Sequence, residues 1–302
     1  ILETGIEVSP NDEYISEDNR LYEVSAVEGT LARARCLDDN TVGVLAVPAQ
    51  APAQNPPNSS AANPSQLVAI YHTHTDESYI PTDGKPTTPG QGGILLVGDA
   101  FAKRLSELGY QTEHSKTIHE PHDANAYQRS RRTFIKLLQQ QPIALFDIHR
   151  DSAPLNIYKT TINNEQVSKI LLVVGKQNQN FNTTLAYAKK IKAAADNKYS
   201  GLVRGIFIAH GNYNQDLNPR SMLIEIGTQY NSREAAERSA ALFADIVPSF
   251  FPLNTTVSEF ADTADFDGDS EAAQYNYDII GILAVLFLGA ATYLYLSTSS
   301  WA

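Results

Sequence analysis

Residues 67–77 read LVAIYHTHTDE, five residues without a charge running into two histidines, an aspartate and a glutamate. A short apolar run bounded by polar residues has the length and composition of a buried strand. The same arrangement recurs at 143–151, IALFDIHRD, and at 222–227, MLIEIG. Around them lie further strand-like runs, YQTEH (110–114), KILLVVG (169–175) and GIFIAH (205–210), and helical patterns over 96–108, 126–140, 183–196 and 233–246. Alternation of this kind predicts an α/β domain, a mainly parallel sheet flanked by helices, because parallel strands need crossover connections and helices supply them.

In such sheets ligands bind where the strands end. Three of the runs deliver chemistry-bearing residues there: His72, His74, Asp76 and Glu77 after the first, His149, Arg150 and Asp151 after the second, and Glu225 within the third. Two imidazoles and one or two carboxylates meeting on one edge are the donor set of a catalytic zinc, which takes three protein ligands and leaves a position for water. Cys36 is the only cysteine, so intrachain disulfides, four-thiolate zinc sites and iron–sulfur clusters are excluded, and a metal must use His and carboxylates. With 23 Lys+Arg against 34 Asp+Glu the net charge is −11, which argues against a nucleic-acid partner. No GxGxxG or Walker loop follows any strand, so nucleotide cofactors have no support.

Working outward, residues 1–47 hold short alternating stretches, among them YEVSAV (22–27) and TVGVLAV (41–47), and suggest a small β-rich segment. Residues 48–66, PAQAPAQNPPNSSAANPSQ, are rich in Pro, Ala and Asn with nothing to bury, which predicts a linker that lets the front segment move independently. The main domain is expected over 67–252. An acidic spacer over 253–278 follows, containing DFDGDSE (265–271), in which Gly268 is misplaced for a calcium loop. Residues 279–296, IIGILAVLFLGAATYLYL, carry no charge and are about long enough to cross a bilayer core of roughly 30 Å. With Tyr293, Tyr295 and Trp301 as an interfacial belt they predict a transmembrane helix.

Four motifs occur in order: YHTHTDESY (71–79), FDIHRD (146–151), YNQDL (213–217) and LIEIGTQYNSREA (223–235). Together they resemble the stage II sporulation protein P family, part of a wider group of zinc-dependent N-acetylmuramoyl-L-alanine amidases. The resemblance covers about 67–247 and implies a peptidoglycan hydrolase. It would cleave the amide between the lactyl group of N-acetylmuramic acid and the first L-Ala of the stem peptide, and endopeptidase activity on stem-peptide crosslinks is attributed to the same domain. Carried over by position, His74 and His149 match the zinc histidines and Glu225 the catalytic glutamate. The wider group takes its third ligand from a glutamate at the start of the next helix. Here that stretch, GGILLVGDAF (92–101), offers only Asp99, and Glu77 of the sporulation motif is the better match. The family's anchor lies ahead of the catalytic domain, whereas here the apolar run follows it.

The remaining polar residues divide between substrate and scaffold. His72 is expected to hydrogen-bond the reaction intermediate or to cap the turn, Arg150 to grip a peptide carboxylate or pair with Asp151, and Tyr213 and Asn214, with Gln215 and Asp216, to contact sugar or stem peptide or to shape their loop. Asp147, on the same strand face as His149, is placed to orient its ring. His119 and His122, separated by Pro121, read as a loop at the cleft rim, and His210 as a strand end near it. The expected whole is a zinc-loaded, single-pass protein of the cell membrane, its catalytic domain on the extracytoplasmic side, acting on peptidoglycan under control of an envelope protein partner. The competing reading is a catalytically silent relative serving as a structural or glycan-binding subunit of an envelope complex.

Overall fold

The computed structural model describes residues 2–37, 66–123 and 125–253. Apart from Gln66 and Leu253, the expected linker, acidic spacer and transmembrane helix lie outside the described residues, as does the TVGVLAV stretch. Among the described residues no helix is long and apolar enough to cross a membrane.

The strands are β1 (Glu13–Ser16), β2 (Leu21–Glu28), β3 (Leu31–Cys36), β4 (Leu67–Tyr71), β5 (Gln111–His114), β6 (Ala144–Asp151), β7 (Lys159–Ile162), β8 (Glu165–Ser168), β9 (Ile170–Gly175), β10 (Val203–Ala209) and β11 (Ser221–Thr228). The helices are α1 (Ile80–Asp83), α2 (Ile94–Glu107), α3 (Ala126–Leu138), α4 (Phe181–Lys198) and α5 (Arg233–Ala244). Nine strands form one sheet in the order β3-β2-β1-β10-β9-β11-β6-β4-β5, and β7 and β8 form a separate hairpin.

The sheet is mixed, with four parallel and four antiparallel pairings, rather than mainly parallel. The reason is local. β6 is followed by the β7–β8 hairpin instead of a helix, turning through Asn163 and Asn164, both with positive φ, and β9 therefore returns antiparallel to β11. Two consecutive left-handed residues are what a type I′ hairpin turn requires. Where a helix does intervene, as α4 does between β9 and β10, the strands run parallel.

The amino-terminal segment is not an independent module. β1 pairs in register with β10, Tyr14 opposite Phe207, so β1–β3 extend the main sheet. Alternation then sorts side chains onto two faces. Ile70, Phe146, Ile148, Leu172, Ile206 and Ile224 pack beneath α2, α4 and α5, with Phe101, Ile191 and Phe243 reaching from those helices. The opposite face carries Leu145 and Tyr71 under Phe134 of α3, and Leu171, Phe207 and Leu223 under Tyr14, Tyr158 and residues from 2–8. At about 25 cal/mol per Å2 of apolar area removed from water, burial of these two layers dominates the stability. His149 and Glu225 belong to the second face by the same alternation.

Candidate metal centre and catalytic cleft

β4 ends at Tyr71 and the chain turns over the carboxyl end of β6, which brings residues 72–77 above His149. The loop is held in detail. Asp147 accepts from the Thr73 amide at 2.8 Å and the Thr73 hydroxyl at 2.6 Å. Gly92 donates to Thr75 O and Ile94 to Glu77 O, so the start of α2 closes the loop from behind. Arg150, buried, donates from Nε to Ser78 O at 3.2 Å and from its terminal amine to Pro86 O at 2.9 Å. Its guanidinium holds the 78–86 turn and does not pair with Asp151.

His74, Glu77 and His149 come together with donor atoms within 4.8 Å of one another, a group that could hold a metal ion. Glu77 Oε1 lies 3.3 Å from His74 Nδ1 and 3.3 Å from His149 Nδ1, while Oε2 accepts from the Arg150 amide at 2.8 Å. The donor set fits zinc: ligands about 2.0–2.1 Å from a tetrahedral ion stand roughly 3.3 Å apart along its edges. Asp99, the alternative third donor, lies elsewhere, accepting from His114 and Lys116. His149 Nε2 lies 3.0 Å from Asp147 Oδ1, but off the line of a hydrogen bond.

The electrostatics couple these groups. Burial alone would push His149 down, but the carboxylates of Asp147 and Glu77 outweigh it and raise its pKa well above the usual imidazole range. Burial would likewise raise Glu77, and the adjoining His149 instead holds it well below the usual carboxylate range.

Glu225 is the register partner of His149 across the β11–β6 pairing, and of Leu171 across β11–β9. It is 5 % exposed, and its Oε2 is buried without a hydrogen-bond partner. Burial drives its pKa well above the usual range, with His149 pulling it partly back. An unpaired buried carboxylate costs stability and is rarely kept without a chemical use.

The other expected site residues fall in different places. His72 is fully buried, Nδ1 2.8 Å from Ile148 O and Nε2 2.8 Å from His114 Nε2, so both ring nitrogens are engaged in packing beneath α2 rather than at an open cleft. His119 is enclosed too, between His72 O and Thr133. His122 does sit at the rim: its ring stacks on His74 with centroids 3.7 Å apart, and its Nδ1 meets Asp76 at 3.0 Å. Tyr213 and Asn214 both adopt positive φ. The Asn214 amide donates to Tyr127 O and Ser130, and the Tyr213 hydroxyl donates to His210 O. Asp216 pairs with Arg131, and Gln215 is buried against β9. His210 meets Asp12.

One residue escaped the sequence. Tyr127, in the first turn of α3, stacks along His149 with centroids 6.3 Å apart, presents an edge to His74 at 5.7 Å, and touches Tyr213 at 5.3 Å. It forms the wall over the His74–His149 pair. No motif marks it; only the apolar stripe of α3 hints that this turn faces the sheet.

The family model for Stage II sporulation protein P (SpoIIP) matches residues 9–248. The stage II sporulation protein P of Bacillus subtilis (strain 168) is 30% identical over 218 residues, which are 66% of this chain and 54% of that protein, so the chain spans about half the length of this curated relative. Among solved structures, the CwlD amidase from Clostridioides difficile in complex with the GerS lipoprotein aligns with TM-score 0.43 at 11% identity, covering 61% of this chain and 98% of that one. An N-acetylmuramoyl-L-alanine amidase, AmiC2 of Nostoc punctiforme, aligns with TM-score 0.37 at 17% identity, covering 61% and 96%.

Proposed function

Because this chain belongs to the stage II sporulation protein P family, we propose that it is a zinc-dependent peptidoglycan hydrolase cleaving the N-acetylmuramoyl-L-alanine amide, with Glu225 as general base. The observation that carries this reading is the placement of an unpaired buried carboxylate, Glu225, directly across a strand pairing from a histidine of a three-donor metal group. Zinc held by His74, Glu77 and His149 would supply the positive charge that acidifies water and polarises the scissile carbonyl.

The chain's own residues do the rest. Glu225, with a raised proton affinity, takes the proton of the attacking water at its free Oε2 and returns it to the amine of the departing L-Ala. In the metal-free arrangement Glu77 meets both imidazoles through one oxygen, and the Arg150 amide fixes its other oxygen, which holds the carboxylate where it would join the two rings around an ion. Arg150 and Asp147 position the loop so that the donors are set before substrate arrives. Tyr127, Tyr213 and His122 wall the opening beside His74 and exclude bulk water there.

On this reading the domain would act outside the cytoplasmic membrane, where such a substrate is, with the 279–296 segment as its proposed anchor and an envelope protein as its proposed regulator. Digestion of purified peptidoglycan by the zinc-loaded protein, with fragments read by mass spectrometry, tests the reading. Stem peptides starting in free L-Ala are expected. Cleavage elsewhere in the peptide would make it another zinc amide hydrolase, and no cleavage by folded, zinc-loaded protein would favour a binding subunit.

A further inference from the structure

Arg204 is 4 % exposed, and among the described residues no carboxylate comes within ion-pair distance of it. Its guanidinium donates to the Glu3 carbonyl at 3.0 Å and lies 4.6 Å over the centre of the Tyr158 ring. A buried charge without a counter-ion is costly unless something compensates it. The backbone has been shaped to put it there. Arg204 is the extra residue of a bulge between Val203 and Gly205, and a bulge of this kind re-aims one side chain. Gly205 has φ +154°, and a Cβ on it would lie 2.6 Å from the Tyr14 hydroxyl, so only glycine lets β1 close over this point.

Arg204 forms part of the lining of a cavity of about 480 Å3 between the β1–β2 turn and the 155–157 turn. Glu17, Asp18 and Lys169 are the other charged groups lining it. Two carboxylates and two cations make the lining formally neutral. The order of depth is not symmetrical: Glu17 and Asp18 have 46% and 61% of their side chains exposed, whereas the arginine is enclosed. Glu17 is paired with Lys169 at 2.5 Å and Asp18 with Arg20 at 3.2 Å, which leaves Arg204 as the one charge of this lining without an ion pair, the carboxylate of Asp151 acting on it only from beyond that distance. A polyanion would be repelled at the lip and a cation at the floor. A neutral group with its carboxylate inward and its ammonium outward satisfies both, and Tyr14 and Ile157 offer an apolar wall to the stem that carries it.

We propose that this cavity is a binding site for a zwitterionic α-amino-acid group, its carboxylate on Arg204 and its ammonium at the Glu17–Asp18 lip. The site is separate from the His74–Glu77–His149 centre and stands whether or not the hydrolase reading does. The ligand is a free diamino acid or the same group at the end of a peptide, and the two sources are distinguished by probe.

Titration calorimetry of the full chain with meso-diaminopimelate, and separately with the tripeptide L-Ala-γ-D-Glu-meso-diaminopimelate, reads the binding. Saturable binding of one of the two is expected, with a Kd on the order of 1 mM or tighter. N-acetylation or amidation of the probe should each weaken it at least about tenfold, and Arg204→Gln should abolish it. Because Arg204→Gln acts in a packed region, the exposed-lip variant Glu17→Gln/Asp18→Asn provides the second reading. It should weaken the free-amine probe severalfold and leave the acetylated one unchanged. Tighter binding of the tripeptide assigns the site to a peptide end, and tighter binding of the amino acid to a free metabolite. Equal binding of acetylated and free-amine probes, or no saturation by about 10 mM, overturns the proposal.

Discussion

Glu225 and His149 face each other across adjacent parallel strands, residue against residue in the β11–β6 register. Neighbouring strands stand about 4.8 Å apart, so the two side chains leave the same sheet face at one level. Neither has to be brought in by a loop, and their spacing is as rigid as the sheet.

Glu225→Gln should separate catalysis from folding. Loss of the proton acceptor is expected to lower hydrolysis by about 10²–10⁴. Replacing a buried carboxyl group whose Oε2 has no hydrogen-bond partner should leave the melting temperature unchanged or higher. A fall in thermal stability with activity retained would assign Glu225 to structure alone.

Glu77 touches both histidines and the Arg150 amide, so Glu77→Gln should cost metal before it costs fold. Zinc content by mass spectrometry should drop well below one ion per chain. In the wild type, zinc at about a hundred times its Kd should add roughly 2.7 kcal/mol of stability, lost on chelation. Equal zinc stoichiometry in both proteins would remove Glu77 from the ligand set.

Burial, and then the facing His114, push the pKa of His72 down from 6.5 to about 3. Above about pH 6.5 the ring is neutral in both folded and unfolded chains. As pH falls from there toward 3 the unfolded chain binds a proton that the folded one refuses, so stability declines through that window. Urea unfolding of the chelated protein at falling pH should show the decline, and His72→Gln should make it shallower. Parallel pH profiles for the two proteins would show that His72 does not set the slope.

Gly98 lets α2 approach the His72–His114 pair. A Cβ there would lie 2.7 Å from His72 Nε2 and 2.6 Å from His114 Nε2. Gly98→Ala should destabilise by about 1–3 kcal/mol through overpacking, with zinc stoichiometry kept. A midpoint of denaturation matching the wild type would mean that α2 shifts freely.

The strand-end residues were legible because a sheet converts sequence neighbours of strand ends into spatial neighbours: that rule puts His74, Glu77 and His149 in the right cleft, and the family motif was needed to choose them over His72 and Asp76. Asn163–Asn164 carried the signal for the hairpin that reverses β9, but an expectation of crossover helices passed over it. The contacts of His72 and Arg150 were not legible for another reason. Their partners, Ile148 O, His114, Ser78 O and Pro86 O, are chosen by loop closure over long sequence separations, to which periodicity is blind. Tyr127 depends on how α3 is rotated over the sheet, which its sequence constrains only to a face.

The pairing of β1 with β10 joins residues about 190 positions apart. Strand β1 is synthesised well before β10 and waits for it before its edge is satisfied. Contacts of such separation slow the search for the native state, because loop-closure entropy is spent before the contact returns anything. Until residues 203–209 are in place, β1 presents an open edge, and the order in which the two strands emerge makes completion of this sheet a late event in its folding.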